Sequence, residues 1–202
     1  MSENKKGRTV EFWFDFGSPA AYLAWTQLPA LAMECGAGIA WRPMLLGGVF
    51  KATGNQSPVL VEAKGKWMWT DLALWARRYG VAFAMNPHFM INTLTLMRGA
   101  VGYQMRDPDR FLKYVDVIFR ATWAEGRNVG DLAVVAELLK GAGFDPAGFA
   151  EMAGSAEVKA KLIAVTDEAV RRGVFGAPTM FVGGAMFWGQ DRLEFVREAL
   201  KS

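Results

Sequence analysis

The sequence predicts an α/β fold in which both ends of the chain build one small sheet and helices fill the middle. Three observations lead to this prediction. An alternating apolar segment precedes a Ser-Pro pair near the start, two short apolar segments flank Gly183-Gly184 near the end, and the long stretch between them has helical periodicity. An order of this kind is typical of a domain whose sheet is interrupted by a helical excursion.

The composition fits one large globular domain, or a domain with an insertion. The chain has 202 residues, of which 52% are hydrophobic and 13% aromatic, so it can bury a sizeable core. Its net charge of +3 is too small and too scattered to indicate nucleic-acid binding. We see neither a signal peptide nor a segment of about 18 apolar residues, and we therefore expect a soluble cytoplasmic protein without a membrane span.

The first elements are predicted as strand, helix and strand. Thr9–Phe14 alternates and is rich in aromatic and β-branched residues, which favours a strand. Ser18-Pro19 is a helix-start signal, and the helix runs to Glu34. A second strand follows at Ile39–Pro43. Leu46–Pro58 has several glycines, one proline and no period, which predicts a long loop.

The middle of the chain is predicted to be helical and the end to return to strands. Asn92 is expected to cap the second helix of this block, and Gly183-Gly184 predicts a hairpin turn. A last helix opens at Gly189-Gln190-Asp191 and ends near Leu200. The helices of the block are predicted at Lys64–Tyr79, Asn92–Arg106, Pro108–Ala124, Asp131–Lys140, Pro146–Ala153 and Ser155–Arg172, and the two late strands at Thr179–Val182 and Ala185–Trp188.

The chain has a single thiol, and its first helix starts with a hydroxyl. Cys35 is the only cysteine and His88 the only histidine, which excludes an intrachain disulfide and a cysteine-type zinc site. Ser18 is expected at the positive end of a helix dipole, a place that suits an anion such as a thiolate. The alternative is that Ser18 is only a helix cap.

The element order is the thioredoxin layout with an inserted helical domain, and several short motifs make the likeness specific. The chain resembles the 2-hydroxychromene-2-carboxylate isomerases, which are relatives of the kappa-class glutathione transferases and of the DsbA-like oxidoreductases. The motifs are Asp15-Phe16-Gly17-Ser18-Pro19 with Tyr22-Leu23, Gly54-Asn55, Lys64-Gly65, Asn92-Thr93-Leu94, Phe175-Gly176-Ala177-Pro178-Thr179 and Trp188-Gly189-Gln190-Asp191-Arg192-Leu193.

This resemblance implies a thioredoxin-like domain formed by residues 8–58 and 174–202 and a helical domain formed by residues 59–173. It implies glutathione as the cofactor, with Ser18 donating a hydrogen bond to its thiolate. Pro178 is expected to form a cis peptide bond that leaves the N–H and C=O of Ala177 unpaired for the ligand backbone. The further residues implied in glutathione binding are Asn55, Lys64, Trp188, Gly189, Gln190 and Asp191. Asp191 is expected to bind the ligand ammonium, to act as the N-cap of the last helix, or to do both.

The resemblance also implies a reaction and a second binding site. The reaction is the interconversion of 2-hydroxychromene-2-carboxylate and trans-o-hydroxybenzylidenepyruvate, or of a similar conjugated aryl acid, in aromatic catabolism, with no metal. Relatives suggest a homodimer. The residues expected to line the substrate cleft between the sheet and the helical block are Lys51, Trp67, His88 and Asn92.

Two other functions fit the same motifs. A kappa-like glutathione transferase would activate glutathione in the same way but would release the conjugate. A thioredoxin-like binding module that has lost its cysteines would keep Pro178 as a peptide-binding edge, and it would have no use for Asn55, Lys64 and Asp191.

Overall fold

The two ends of the chain form one mixed sheet, as the sequence predicts. The computed structural model describes residues 8–202. Strand β1 (Thr9–Phe14) is parallel to β2 (Gly38–Pro43) and antiparallel to β3 (Thr179–Val182), and β3 is antiparallel to β4 (Ala185–Trp188). The spatial order is therefore β2-β1-β3-β4.

Strand β1 is buried on both faces, which explains its run of aromatic residues. Phe12 and Phe14 point to one side, where Phe14 lies 5.6 Å from the ring of Phe119 in the helical block. Trp13 points to the other side and packs with Phe181 in a second, smaller cluster. A centre strand with cores on both faces gains more from apolar residues than from a polar alternation.

Nine α-helices and two 3₁₀ turns are described in residues 8–202, and most of the predicted helices are confirmed. The helices are α1 (Pro19–Glu34), α2 (Leu46–Thr53), α3 (Glu62–Tyr79), α4 (Leu94–Arg106), α5 (Pro108–Trp123), α6 (Leu132–Gly141), α7 (Pro146–Gly154), α8 (Ala156–Arg171) and α9 (Leu193–Lys201), and the 3₁₀ turns are η1 (Pro58–Leu60) and η2 (Gln190–Arg192). The division into domains at residues 58 and 174 stays a prediction.

The predicted loop at 46–58 is wrong in its first part, because α2 is a helix of eight residues. Two adjacent glycines weaken its local preference for a helix. Tertiary contacts supply what the local sequence lacks, since Val49 is fully buried and the Leu45 N–H donates to the Thr166 hydroxyl at 3.0 Å. The helix ends where the sequence suggests a break, at Gly54 with a φ of 74°.

Two predicted helix starts are shifted. Helix α3 begins at Glu62, so Lys64 lies in its first turn and not at its start. The N-cap of α4 is Thr93 and not Asn92, although the Asn92 Oδ1 accepts a hydrogen bond from the Leu94 N–H at 3.1 Å. The Thr93 hydroxyl makes no capping bond and donates to the Asp15 carboxylate at 2.7 Å.

The carboxylate of Asp15 joins three parts of the chain in the interior. It is 1% exposed and accepts hydrogen bonds from the Gly17 N–H at 2.8 Å, the Leu46 N–H at 2.7 Å and the Thr93 hydroxyl at 2.7 Å. These donors belong to the turn before α1, the start of α2 and the start of α4. One buried side chain therefore sets the positions of three helix starts relative to the sheet.

The turn after Asp15 is held by two more contacts with the helical block. The indole N–H of Trp123 donates to the Phe16 carbonyl at 2.7 Å, and the Phe16 N–H points to the sulfur of Met97 at 3.5 Å. These contacts fix the conformation of residues 15–17, which lead into α1. In the part of the chain that is described, no helix combines the length and the apolar character needed to cross a membrane.

Thr93→Val should destabilise the fold by about 2 kcal/mol, because a buried carboxylate loses a charge-assisted hydrogen bond while the side-chain volume is kept. Thr93→Ser keeps the hydroxyl and serves as the matched control. Urea unfolding of both variants measures the difference. Unchanged stability in Thr93→Val beside a loss in Thr93→Ser would show that the methyl group, and not the hydrogen bond, matters here.

The free energy of unfolding should depend on pH through the ionisation of Asp15. Burial raises the pKa of Asp15 above its ordinary 3.8, against the lowering effect of its three hydrogen bonds. In the pH window above 3.8 the folded protein then holds a proton that the unfolded chain has released, so this group's contribution to stability falls as the pH rises through that window.

Asp15→Asn should remove this decrease in the free energy of unfolding with rising pH. Urea unfolding at a series of pH values above about 4 measures the decrease in both proteins. Carboxyl NMR titration of the wild-type protein checks the cause directly. A folded-state pKa of Asp15 below 3.8 would contradict the prediction.

Candidate active site at the start of the first helix

Ser18 is the N-cap of α1 and is bonded on two sides. Its Oγ accepts a hydrogen bond from the Ala21 N–H at 3.1 Å, and Pro19 fills the first helical position. The hydroxyl donates to the Ala177 carbonyl at 2.8 Å, and the residue is 5% exposed. The cap predicted from the sequence is confirmed, and the hydroxyl faces the loop that carries Pro178.

The loop opposite Ser18 contains the expected cis bond, between Ala177 and Pro178. The Ala177 N–H has no hydrogen-bond partner among residues 8–202, as predicted. The prediction that the Ala177 carbonyl is also unpaired is wrong, because it accepts from the Ser18 hydroxyl. Pattern alone could not reveal this bond, which joins residues 159 positions apart.

The loop before Pro178 is supported by Asn55 and Trp188. The Asn55 amide donates to the Phe175 carbonyl at 2.8 Å, and its Oδ1 accepts from the Gln56 N–H at 2.8 Å. The indole of Trp188 lies 5.0 Å from the ring of Phe175 and covers Gly176, while 49% of the residue stays exposed. The structure thus brings both residues to this loop, and their roles toward a ligand stay predictions.

The turn at Gly189–Asp191 also adjoins Pro178. The Gly189 N–H donates to the Pro178 carbonyl at 3.0 Å, and Gln190 is buried. The predicted helix start is corrected here, since Gln190–Arg192 form the 3₁₀ turn η2 and α9 begins at Leu193. Asp191 is therefore not the N-cap of the last helix. Its carboxylate pairs with Arg192 at 3.0 Å and is about one-third exposed.

Helix α3 brings an acidic residue to this turn that the sequence reasoning missed. Burial raises the pKa of Asp71, and the negative charge of Asp191 in η2 raises it further. A hydrogen bond from Trp75 counteracts part of this rise. The signal was present in the i, i+4, i+8 spacing of Asp71, Trp75 and Tyr79 on one side of α3.

Lys64 lies on the exposed side of the first turn of α3 and makes no hydrogen bond or ion pair with the described residues. Its ammonium is therefore available to a ligand. Near the start of α3, Lys66 pairs with Glu62, which leaves Lys64 as the unpaired cation of this part of the helix.

The predicted substrate residues are exposed and are not linked to one another. Within residues 8–202 no hydrogen bond or ion pair joins any of them to another or to Ser18, and Trp67 is 68% exposed. These residues are Lys51 on α2, Trp67 on α3, and His88 and Asn92 in the segment before α4. The structure brings the residues around Ser18 together, but it does not assemble this second group into a closed site.

The site has no thiol of its own. Cys35 lies at the C-cap of α1, at the opposite end of the helix from Ser18. The described residues contain no group of three His, Cys, Asp or Glu side chains arranged to hold a metal ion. Dithiol exchange is unavailable here because it needs two sulfurs at the helix start.

Comparisons with known proteins agree with this geometry. The family model described as "DSBA-like thioredoxin domain" matches residues 9–201. A 2-hydroxychromene-2-carboxylate isomerase from Sphingobium xenophagum is 32% identical over 96% of this chain and 98% of its own length. The human glutathione S-transferase kappa 1 is 26% identical over 96% of this chain and 91% of its own length.

Solved structures lead to the same conclusion about the fold. A 2-hydroxychromene-2-carboxylate isomerase superposes with a TM-score of 0.84 at 31% identity, covering 95% of this chain and 94% of that one. A probable DsbA oxidoreductase from Streptomyces coelicolor superposes with a TM-score of 0.73 at 22% identity, covering 96% and 88%. The chain therefore belongs to the DsbA-like thioredoxin-domain family, together with the 2-hydroxychromene-2-carboxylate isomerases.

Proposed function

We propose that the protein is a glutathione-dependent isomerase that interconverts 2-hydroxychromene-2-carboxylate and trans-o-hydroxybenzylidenepyruvate, or a similar conjugated aryl acid, in aromatic catabolism. The observation that carries the proposal is the pairing of the Ser18 hydroxyl, at a helix N-terminus, with a cis-proline loop whose Ala177 N–H is unpaired. Relatives that share the whole length of the chain and are named for this isomerase support the choice of reaction.

The residues present fit glutathione, a tripeptide with a thiol, two carboxylates and one ammonium. The unpaired N–H of Ala177 can bind a ligand carbonyl as an added strand would. Lys64 carries an unpaired positive charge for a carboxylate, and the carboxylates of Asp71 and Asp191, whose charges interact, are proposed to bind the ammonium. The cofactor would bring the sulfur that the first helix lacks.

Ser18 would lower the pKa of the bound thiol. A free thiol titrates near about 8.5 and is mostly protonated at neutral pH. A hydroxyl donor and the positive end of α1 both favour the charged form. The hydroxyl now donates to the Ala177 carbonyl, so it must turn from that oxygen toward the sulfur. A ligand N–H that binds the same carbonyl would take over its place.

The chemistry supplied on binding would be reversible addition of a thiolate to a conjugated double bond, which permits rotation before the thiolate leaves. The chain would hold the aryl acid beside Ser18. Lys51 is proposed to meet its carboxylate, and the exposed indole of Trp67 is proposed as a flat apolar wall. His88 and Asn92 are the proposed polar neighbours of the substrate oxygens.

A kappa-like transferase is the second candidate, because kappa-class relatives span the whole chain. Both candidates use the same activated thiol and differ in its fate. An isomerase returns all of the thiol at the end of each turnover, and a transferase consumes one equivalent for each product. Thiol titration during turnover separates the two, and calorimetry that detects no glutathione binding would instead favour the cysteine-less binding module.

Ser18→Ala should raise the pKa of bound glutathione and slow the reaction by about 10²-fold, because the thiolate loses a charge-assisted donor. Thiolate absorbance titrated against pH, together with kcat, measures both effects. Ser18→Ala also removes a helix cap, which should cost about 1 kcal/mol of stability.

Ser155→Ala is the matched control for that loss, because Ser155 caps α8 through the Val158 N–H in the same way, on a different helix. It should lower stability by a similar amount and leave the thiol pKa and the rate unchanged. If Ser18→Ala leaves the pKa of the bound thiol unchanged, the proposed role of Ser18 is wrong.

Asp71→Asn should weaken glutathione binding by about tenfold, since one of two carboxylates that face the ligand ammonium becomes neutral. Glutaryl-cysteinylglycine lacks that ammonium, so its binding should not weaken. Isothermal titration calorimetry with both ligands measures the effect, and Asp116→Asn on α5 is the control for loss of one negative charge. Equal weakening for both ligands would contradict a role of Asp71 in binding the ammonium.

A further inference from the structure

The loop at Phe175–Pro178, which carries the cis-proline, is held through its carbonyl groups. All four successive carbonyls accept a hydrogen bond, and each donor belongs to a different segment of the chain. The donors, in the order of the carbonyls from Phe175 to Pro178, are the Asn55 amide at 2.8 Å, the Thr179 hydroxyl at 2.8 Å, the Ser18 hydroxyl at 2.8 Å and the Gly189 N–H at 3.0 Å. The position of the Ala177 N–H, which the proposed site uses, therefore depends on these four bonds.

The bond from Ser18 is the one that glutathione binding would give up. In the proposed function, the Ser18 hydroxyl turns from the Ala177 carbonyl toward the sulfur. Of the three donors that stay, Thr179 and Gly189 belong to the segment that directly follows the loop. Asn55 comes from another part of the chain, just after α2, and it is the exposed donor of the four.

The side chain of Asn55 is oriented by a partner at each end of its amide. Its Oδ1 accepts from the Gln56 N–H at 2.8 Å, so its NH₂ group is directed to the Phe175 carbonyl. Val49 on α2 and Val174, directly before the loop, are both fully buried in the smaller apolar cluster. The polar bond thus fastens two segments that already share a core.

We infer that Asn55 is a positioning residue, which fastens the loop at Phe175 to the end of α2 and keeps the Ala177 N–H in place when the Ser18 hydroxyl turns to the thiol. Where it concerns glutathione, this inference rests on the proposed function. Asn55 acts here through the Phe175 carbonyl, and no contact of its own with the ligand is assigned to it.

Asn55→Ala is the test, with Asn128→Ala as its matched control. Asn128 lies between α5 and α6, and its Oδ1 also accepts from a backbone N–H, that of Gly130 at 3.3 Å. Hydrogen exchange of the Gly189 amide, whose partner is the Pro178 carbonyl, reports on the loop in the free protein. Exchange of this amide should be roughly fivefold faster in Asn55→Ala, the effect of one neutral hydrogen bond, and unchanged in Asn128→Ala.

Asn55→Asp separates the two hydrogen bonds of this side chain. A carboxylate can still accept from the Gln56 N–H, but it cannot donate to the Phe175 carbonyl. Exchange of the Gly189 amide should therefore accelerate in Asn55→Asp as it does in Asn55→Ala. Exchange at the wild-type rate in either variant would overturn the inference.

Ser18→Ala imitates the state in which the hydroxyl has left the Ala177 carbonyl. In that background, Asn55→Ala should accelerate exchange of the Gly189 amide by a larger factor than in the wild-type protein, because two neighbouring anchors of the loop are then lost together. An equal factor in both backgrounds would contradict the role of Asn55 in holding the loop when Ser18 releases it.

Glutathione titration connects the loop with the ligand and separates this inference from the proposed function. Calorimetry should give roughly fivefold weaker binding for Asn55→Ala and unchanged binding for Asn128→Ala. Weaker binding beside unchanged exchange of the Gly189 amide would indicate a direct contact of Asn55 with the ligand and would overturn its positioning role. A wild-type protein that binds no glutathione overturns the proposed function, while the exchange rates of the free protein still decide whether Asn55 holds the loop.

Discussion

The buried carboxylate of Asp15 is the interaction on which the site depends. It stands at the end of the central strand and receives hydrogen bonds from the turn before α1, from the start of α2 and from the start of α4. An unpaired carboxylate in this interior would be costly, so these three segments are driven to converge on it. Ser18 comes three residues later, and its own N–H donates to the Asp15 carbonyl at 3.1 Å. The most buried charge of the turn thus defines where the capping hydroxyl lies.

The chemistry open to this scaffold depends on which atom caps the first helix. A pair of sulfurs at that place permits dithiol exchange, and a serine removes that possibility while leaving the helix N-terminus and the cis-proline loop in place. In the function proposed above, the site would stabilise an anion without a nucleophile of its own. The two sides of the site, the start of α1 and the cis-proline loop, come from opposite ends of the chain. The hydrogen bond from the Ser18 hydroxyl to the Ala177 carbonyl joins them.

Local patterns predicted most of the fold and part of the site. Helix α5 was predicted because its apolar residues recur at helical spacing, and the cap formed by Ser18 was predicted because capping is a local interaction. Helix α2 escaped prediction because its glycines disfavour a helix and its stability comes from residues far along the chain. The Ser18 hydroxyl donates to the Ala177 carbonyl and the Tyr79 hydroxyl to the Gln190 carbonyl, and both bonds connect distant residues, so a single sequence gives no direct sign of them.

Gly176 has a consequence for how this loop can change. A β-carbon at this position would lie 2.6 Å from the ring nitrogen of Trp188, closer than real β-carbons approach a neighbour. Any larger residue at 176 therefore demands a smaller or displaced side chain at 188, and the two sites form a coupled pair across a hairpin and a loop. In natural variants, residues 176 and 188 should therefore change together. A mutant library at this loop should randomise both positions at once, because Trp188 excludes most single substitutions of Gly176.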